Sequence, residues 1–218
     1  MLRNISVEIN GKRILDNVSF EPNRGINVIL GPNGSGKTTL LRVIIGMVKK
    51  TEGKVSLKGK ISYVPAEFFS AQMKVSDVML AGSRIELNEY TKVMKKMEIQ
   101  GLINRDFSTL SSGEKRLVLI VKSLVEGDVV LMDEPLGNLD LANRAKVLRI
   151  LKEYDKTFII TSHEIEVLDF ASKVLLLKNG KVLYSGNPAD VNESLLSELY
   201  NVKLRRGKDG WSNFRFDF

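Results

Sequence analysis

The sequence predicts a single α/β domain over residues 1–218. It has a mostly parallel sheet, an N-terminal antiparallel β portion and a short α-helical subdomain at about 67–125. Three observations predict it. Short apolar runs alternate with helical patterns through 112–171, the order that builds strand–helix crossovers and a parallel sheet covered on both faces. A glycine-rich stretch, GPNGSGKTT at 31–39, joins an apolar run to an amphipathic pattern. Asn-Gly pairs at 10–11 and 179–180 each separate two apolar segments, which is a hairpin pattern.

The elements follow in order. Ile5, Val7 and Ile9 alternate, and Ile14, Val18 and Phe20 resume beyond Asn10-Gly11, predicting two antiparallel strands. INVIL (26–30) is a buried strand, and KTTLLRVIIGMV (37–48) a helix with Leu40, Leu41, Ile44, Ile45 and Val48 on one face. VSLKGKISYV (55–64) is expected to be a second hairpin, turned at Gly59, and residues 75–106 to be helical and amphipathic. Beyond them come a helix at 112–126, a buried strand at 128–133, a helix at 141–154, a strand at 157–161 and a helix at 164–171. Residues 173–186 form a hairpin turned at Asn179-Gly180.

Composition narrows the setting. The chain has 218 residues, 43 % hydrophobic and 27 % charged, with no cysteine, so it carries neither a disulfide framework nor a thiolate metal site. No uninterrupted apolar run approaches the length of a membrane span, and MLRNISVEIN lacks the plan of a signal peptide. A cytoplasmic protein is expected. The net charge of +7 is spread along the chain, with its densest cluster at Lys203, Arg205, Arg206 and Lys208. That cluster reads either as a solvated tail or as a contact for an acidic partner. No nucleic-acid partner is expected.

The glycine stretch fits G-x-x-x-x-G-K-[ST], with Gly31, Gly36, Lys37 and Thr38 at the fixed positions. Its place between strand and helix gives the pattern a mechanism. Backbone N–H groups of Asn33, Gly34, Ser35, Gly36, Lys37 and Thr38 would converge on phosphate oxygens at a helix N-terminus, whose dipole favours negative charge. Pro32 and Thr39 flank that cradle, and Gly34 and Gly36 supply its backbone freedom. Lys37 would reach the β and γ phosphates, and the Thr38 hydroxyl would ligate Mg²⁺. VVLMDEP (129–135) ends a buried strand in two carboxylates, where α/β sheets bind ligands. Adjacent strand residues face opposite sides, so the two acids should differ in role. Asp133 would hold Mg²⁺ and Glu134 would orient and polarise the attacking water.

Three further motifs carry a family resemblance. LSSGEKR (110–116) resembles the LSGGQ signature of ABC-type ATPases, and PLGNLD (135–140) resembles their D-loop. TSHE (161–164) matches their switch histidine, and the only histidine in the chain, His163, stands in that slot. Order and approximate spacing agree over almost the whole chain. It is therefore identified as a member of that family, as the nucleotide-binding subunit of an ABC transporter. The resemblance implies a P-loop NTPase core and a head-to-tail pair of ATPase subunits, either a homodimer or a pair of paralogues. ATP would lie between the phosphate loop of one subunit and Ser111 and Gly113 of the other. It also implies that His163 contacts the γ-phosphate, that Asp140 helps link the two sites, and that Ile9 covers adenine where an aromatic is usual. Membrane-embedded transporter subunits would dock on the helical insert at 67–108, where the apolar FFSAQM (68–73) is either a contact for them or buried in the domain itself. The protein would then sit peripherally on the cytoplasmic face of the membrane.

The departures bear on activity. Ser112 and Glu114 replace the usual Gly and Gln of the signature, and Ala66 in YVPAEF (63–68) replaces the glutamine of the Q-loop. An alanine methyl neither accepts a hydrogen bond nor ligates Mg²⁺, which points to slow hydrolysis or a regulatory subunit impaired in it. The short middle segment with its S-G-E signature resembles zinc and manganese importer ATPases, and the tail at 186–202 resembles metal-chelate importer subunits. Metal or metal-chelate uptake is one reading. A soluble ABC-type ATPase of the iron–sulfur assembly kind is the alternative.

Overall fold

The structure, a computed structural model, describes residues 1–67, 71–207 and 210–216. Phe68, Phe69 and Ser70, part of the expected docking stretch, and Lys208 of the basic cluster lie outside the described residues. The chain opens with β1 (Leu2–Ile9) and β2 (Lys12–Phe20), antiparallel and turned at Asn10-Gly11 with φ of 49° and 73°. Two positive φ values in a two-residue turn match the right-handed twist of the strands it joins. β3 (Gly25–Leu30) is buried from Ile26 onward and leads through the glycine loop into α1 (Lys37–Ile44). That helix is shorter than the 37–48 expected: Ile45 caps it, the chain turns at Gly46, and Met47 is exposed.

β4 (Glu52–Val55) and β5 (Ile61–Val64) do not form the hairpin expected around Gly59. β4 pairs antiparallel with β1, Leu2 opposite Val55. The main chain of Lys60 bonds instead to Asp128, whose carboxylate accepts from Lys60 N at 2.8 Å and whose N–H donates to Lys60 O at 2.8 Å. Local alternation cannot say which strand a segment pairs with. The expected helical run at 75–106 is α2 (Val75–Leu80) and α3 (Leu87–Lys96), interrupted by a turn at Ala81-Gly82 and followed by a 3-10 turn at 100–102. α4 (Ser112–Glu126), β6 (Val129–Met132), α5 (Leu141–Glu153) and β7 (Thr157–Ser162) follow the predicted alternation closely. Residues 165–170 are a 3-10 helix rather than an α-helix, burying Ile165, Val167 and Leu168. β8 (Lys173–Lys178) and β9 (Lys181–Gly186) turn at Asn179-Gly180 as predicted. The tail holds α6 (Glu193–Tyr200), capped by Asn192, and an antiparallel hairpin of β10 (Leu204–Gly207) and β11 (Gly210–Phe216) that the sequence reading did not anticipate.

The chain divides into two compact units, Met1–Lys58 with Thr157–Phe218, and Gly59–Lys156. In the first, β2, β1 and β4 make an antiparallel sheet, while β3 runs parallel to β7 on one side and to β8 on the other, with β9 antiparallel at the edge. Asn27 is fully buried on β3 and is satisfied there. Its amide donates to Asn23 O at 2.8 Å and Phe158 O at 2.9 Å, and its oxygen accepts from Asn23 N at 2.9 Å. In the second unit, β5 and β6 pair in parallel, α4 packs on β5, and α2 and α3 pack on α4. Lys156 Nζ donates to Leu124 O and Gly127 O at 2.7 and 2.5 Å, satisfying carbonyls at the C-terminus of α4.

Gly180 is more than a turn residue. Its N–H donates to Ser35 O at 2.9 Å and its carbonyl accepts from Asp16 N at 2.9 Å, so the β8–β9 turn braces both β2 and the glycine loop. A Cβ on Gly180 would run into the Ile14 carbonyl oxygen, whereas one on Gly11 would meet open space. Both have similar positive φ. Gly11→Ala should therefore cost about 1 kcal/mol of folding stability and Gly180→Ala at least about 1 kcal/mol more, since only the second adds a collision to the left-handed strain. Urea denaturation midpoints of the two variants check this. Equal losses would contradict the bracing.

Candidate functional site

The first unit builds the glycine loop into a cradle. β3 delivers the chain to Gly31, and α1 leaves from Gly36, which takes φ of 105° as its N-cap. The first turn of α1 holds no acidic residue and no side-chain cap, so its N–H dipoles remain available to an anion. Lys37 is buried and folds back along the loop, its Nζ donating to Gly31 O at 2.7 Å and Pro32 O at 3.1 Å. Outside contacts hold the loop in shape. Gly31 N donates to Ser162 O at 3.2 Å, Ser35 O accepts from Gly180, and a Cβ on Gly36 would stand 2.7 Å from the Leu15 side chain. The Ser35 hydroxyl is buried and lacks a hydrogen-bond partner, an orphan that a phosphate oxygen would satisfy. Asn33 and Gly34 are exposed at the crest, while Pro32, Thr38 and Thr39 are half-buried. The residues present fit a polyphosphate. Ile9, at the end of β1, is exposed.

His163 follows Ser162 directly, so the switch position adjoins the residue whose carbonyl receives the Gly31 N–H. Its side chain is exposed, and its carbonyl accepts from the Tyr200 hydroxyl at 2.8 Å. Tyr200, at the end of α6, had no motif to announce it.

The second unit holds the acids. β6 is wholly buried and ends at Met132, and Asp133 N donates to Val64 O at 2.8 Å. Asp133 is 1 % exposed and Glu134 half-buried. The two acids thus sit in different surroundings, but strand alternation is not the cause. The strand has already ended, and Glu134 takes a left-handed φ of 50°. Behind them lies Arg116, 4 % exposed, which donates from Nη1 to Asp133 O at 3.3 Å and Glu134 O at 3.0 Å, and from Nη2 to Ala66 O at 2.5 Å. Burial lowers the pKa of the guanidinium, and the nearby charges of Asp133 and Glu134 oppose that shift. The sequence did carry a signal for Arg116: a cation spaced four residues from Ile120 falls on the buried stripe of α4. Glu67, beside Ala66, is exposed.

The signature and D-loop residues cap helices. Ser111 is the N-cap of α4, its hydroxyl accepting from Glu114 N at 3.2 Å while its own N–H donates to the Glu114 carboxylate at 2.8 Å. Those bonds, with Arg105 at 3.4 Å, hold the Glu114 carboxyl below the usual carboxylate range. The residue standing where glutamine is usual therefore places a carboxylate on the helix end that was expected to face a γ-phosphate. Gly113 packs beside the D-loop, where an added Cβ would lie 3.5 Å from Leu139. Asp140 caps α5, accepting from Asn143 N at 2.7 Å.

Comparisons with known proteins complete the picture. The family model described as ABC transporter matches residues 15–137, more than half of the chain. An uncharacterized ABC transporter ATP-binding protein of Lactococcus lactis, YmeB, is 32 % identical over 93 % of this chain and 92 % of its own length. A probable iron chelatin transport ATP-binding protein of Helicobacter pylori is 31 % identical over 93 % of each chain. Among solved structures, an inward-facing conformation of an ABC transporter assigned to the metal-chelate type superposes with a TM-score of 0.84 at 25 % identity, covering 98 % of this chain and 94 % of that one. On the matched family, the relatives and the glycine loop alike, the chain belongs to the ABC transporter family as an ATP-binding subunit.

Proposed function

We propose that this subunit hydrolyses Mg-ATP and that the cycle drives transport through membrane-embedded partner subunits on whose cytoplasmic face it sits. The observation that carries the reading is the cradle itself: a buried lysine folded along a glycine loop at an uncapped helix N-terminus. Backbone N–H groups of the loop and Lys37 would bind the β and γ phosphates. Mg²⁺ is bound in such sites through one or two carboxylates together with phosphate oxygens; Asp133 would supply a carboxylate and Thr38 a hydroxyl oxygen. Glu134 would accept a hydrogen bond from the attacking water. The oxygen of that water would form the new bond to the γ-phosphorus as the bond to the ADP oxygen breaks, with its proton passing to the Glu134 carboxylate. His163 would contact the γ-phosphate. Ser111 and Gly113 would complete the site of a second ATPase subunit, with Asp140 beside that junction, and Ile9 would cover the base by apolar contact. The Helicobacter relative and the metal-chelate structural neighbour favour a metal or metal chelate as the transported substrate.

Glu134→Gln removes the carboxylate but leaves the cradle intact. Turnover should fall by about 10²–10⁴, the range for removing a positioned base, with ATP affinity within about twofold of the parent. Phosphate release and equilibrium nucleotide binding measure the two. Parental turnover would sink the role given to Glu134.

A site shared between subunits makes a second prediction. Lys37→Ala and Ser111→Arg should each be inactive alone, yet a mixed dimer of the two holds one site damaged twice and one undamaged. Activity should reappear on mixing. Mixed dimers demonstrated by cross-linking that show no activity would contradict the shared site.

A further inference from the structure

Glu134 occupies a conformation that its own chemistry disfavours. A left-handed φ costs a residue with a Cβ about 1–2 kcal/mol, and Glu134 has φ of 50°. Pro135 adds to this, because a proline pushes the residue before it toward extended backbone. Something must hold the glutamate there. The Asp133 and Glu134 carbonyls belong to the two peptide planes that flank the Glu134 Cα, and both accept from the same nitrogen, Nη1 of Arg116. Pinning both planes to one rigid guanidinium fixes φ and ψ between them, and hence the direction in which the carboxylate leaves the chain. Burying this cation is costly unless its donors are used. Here backbone carbonyls of three residues accept from it.

We propose that Arg116 is the positioning residue for the hydrolytic glutamate, joining its backbone to α4 and to the segment at Ala66. The inference rests on the role of Glu134 given above. Its third bond, to Ala66 O, needs no side chain at position 66, so this link survives the loss of the glutamine usual there. α4 also begins at Ser111, the residue assigned to the second subunit's nucleotide. A shift of α4 on nucleotide binding would thus reach Glu134 through Arg116.

The test is turnover per nucleotide-bound site in Arg116→Met, which keeps much of the volume and has no donor. Turnover should fall about tenfold or more, as for a slightly misplaced catalytic group, with ATP affinity within about twofold of the parent. Parental turnover, or an affinity lost by the same factor as turnover, overturns the proposal. Should Arg116→Met fail to fold, Arg116→Lys keeps the charge without the planar fork. It should then lose at least about threefold in turnover, and parental turnover there overturns the proposal equally. Glu134→Gln measured alongside separates the two readings. If that variant stays active, the role of Glu134 fails; if it is inactive while Arg116 variants keep parental turnover per site, only the positioning role fails.

Discussion

The Lys37 ammonium, bonded to the Gly31 and Pro32 carbonyls, is the interaction that most of the first unit exists to hold. A buried lysine is tolerable only where its donors find partners, and those carbonyls stay in place because the loop is braced from three sides. The C-terminal end of β7 receives Gly31, the β8–β9 turn donates to Ser35, and Leu15 of β2 closes against Gly36. The parallel flanking of β3 by β7 and β8 puts the loop at the carboxyl ends of strands, where a ligand meets N–H groups and a helix dipole together. Fold and cradle are one arrangement.

The second unit solves a related problem with the opposite sign. Two carboxylates must stand near one another at a strand end, one buried and one partly open, without the buried charges becoming too costly. Arg116 supplies a compensating positive charge and also donates to the backbone carbonyls of both acids. The capping box of α4 follows the same economy: Glu114 satisfies an exposed N–H and offsets the helix dipole.

The chemistry-bearing motifs were legible because each has a fixed spacing tied to a fixed backbone geometry. GPNGSGKTT, VVLMDEP and the two Asn-Gly turns predicted the elements they occupy, and α4 was bounded correctly from its apolar stripe. What was not legible depended on partners distant in sequence. β5 alternates as a hairpin strand would, yet it pairs with Val129–Met132. The left-handed turn at Glu134 has no local residue pattern, since glycine or asparagine is the usual occupant of such a φ. The bonds from Arg116 to Ala66 and Glu134 span 50 and 18 positions. The C-terminal hairpin was hidden by a basic stretch that reads as a solvated tail.

The central claim is that the loop at 31–39 binds the phosphates of ATP through its backbone and Lys37. Equilibrium ATP binding to Lys37→Ala, at fixed Mg²⁺ and salt, tests it most directly. Losing hydrogen bonds from a charged donor removes about 1.5–3 kcal/mol, so affinity should fall by about tenfold to a hundredfold while the urea midpoint changes far less. Parental affinity in a folded Lys37→Ala protein would contradict the account.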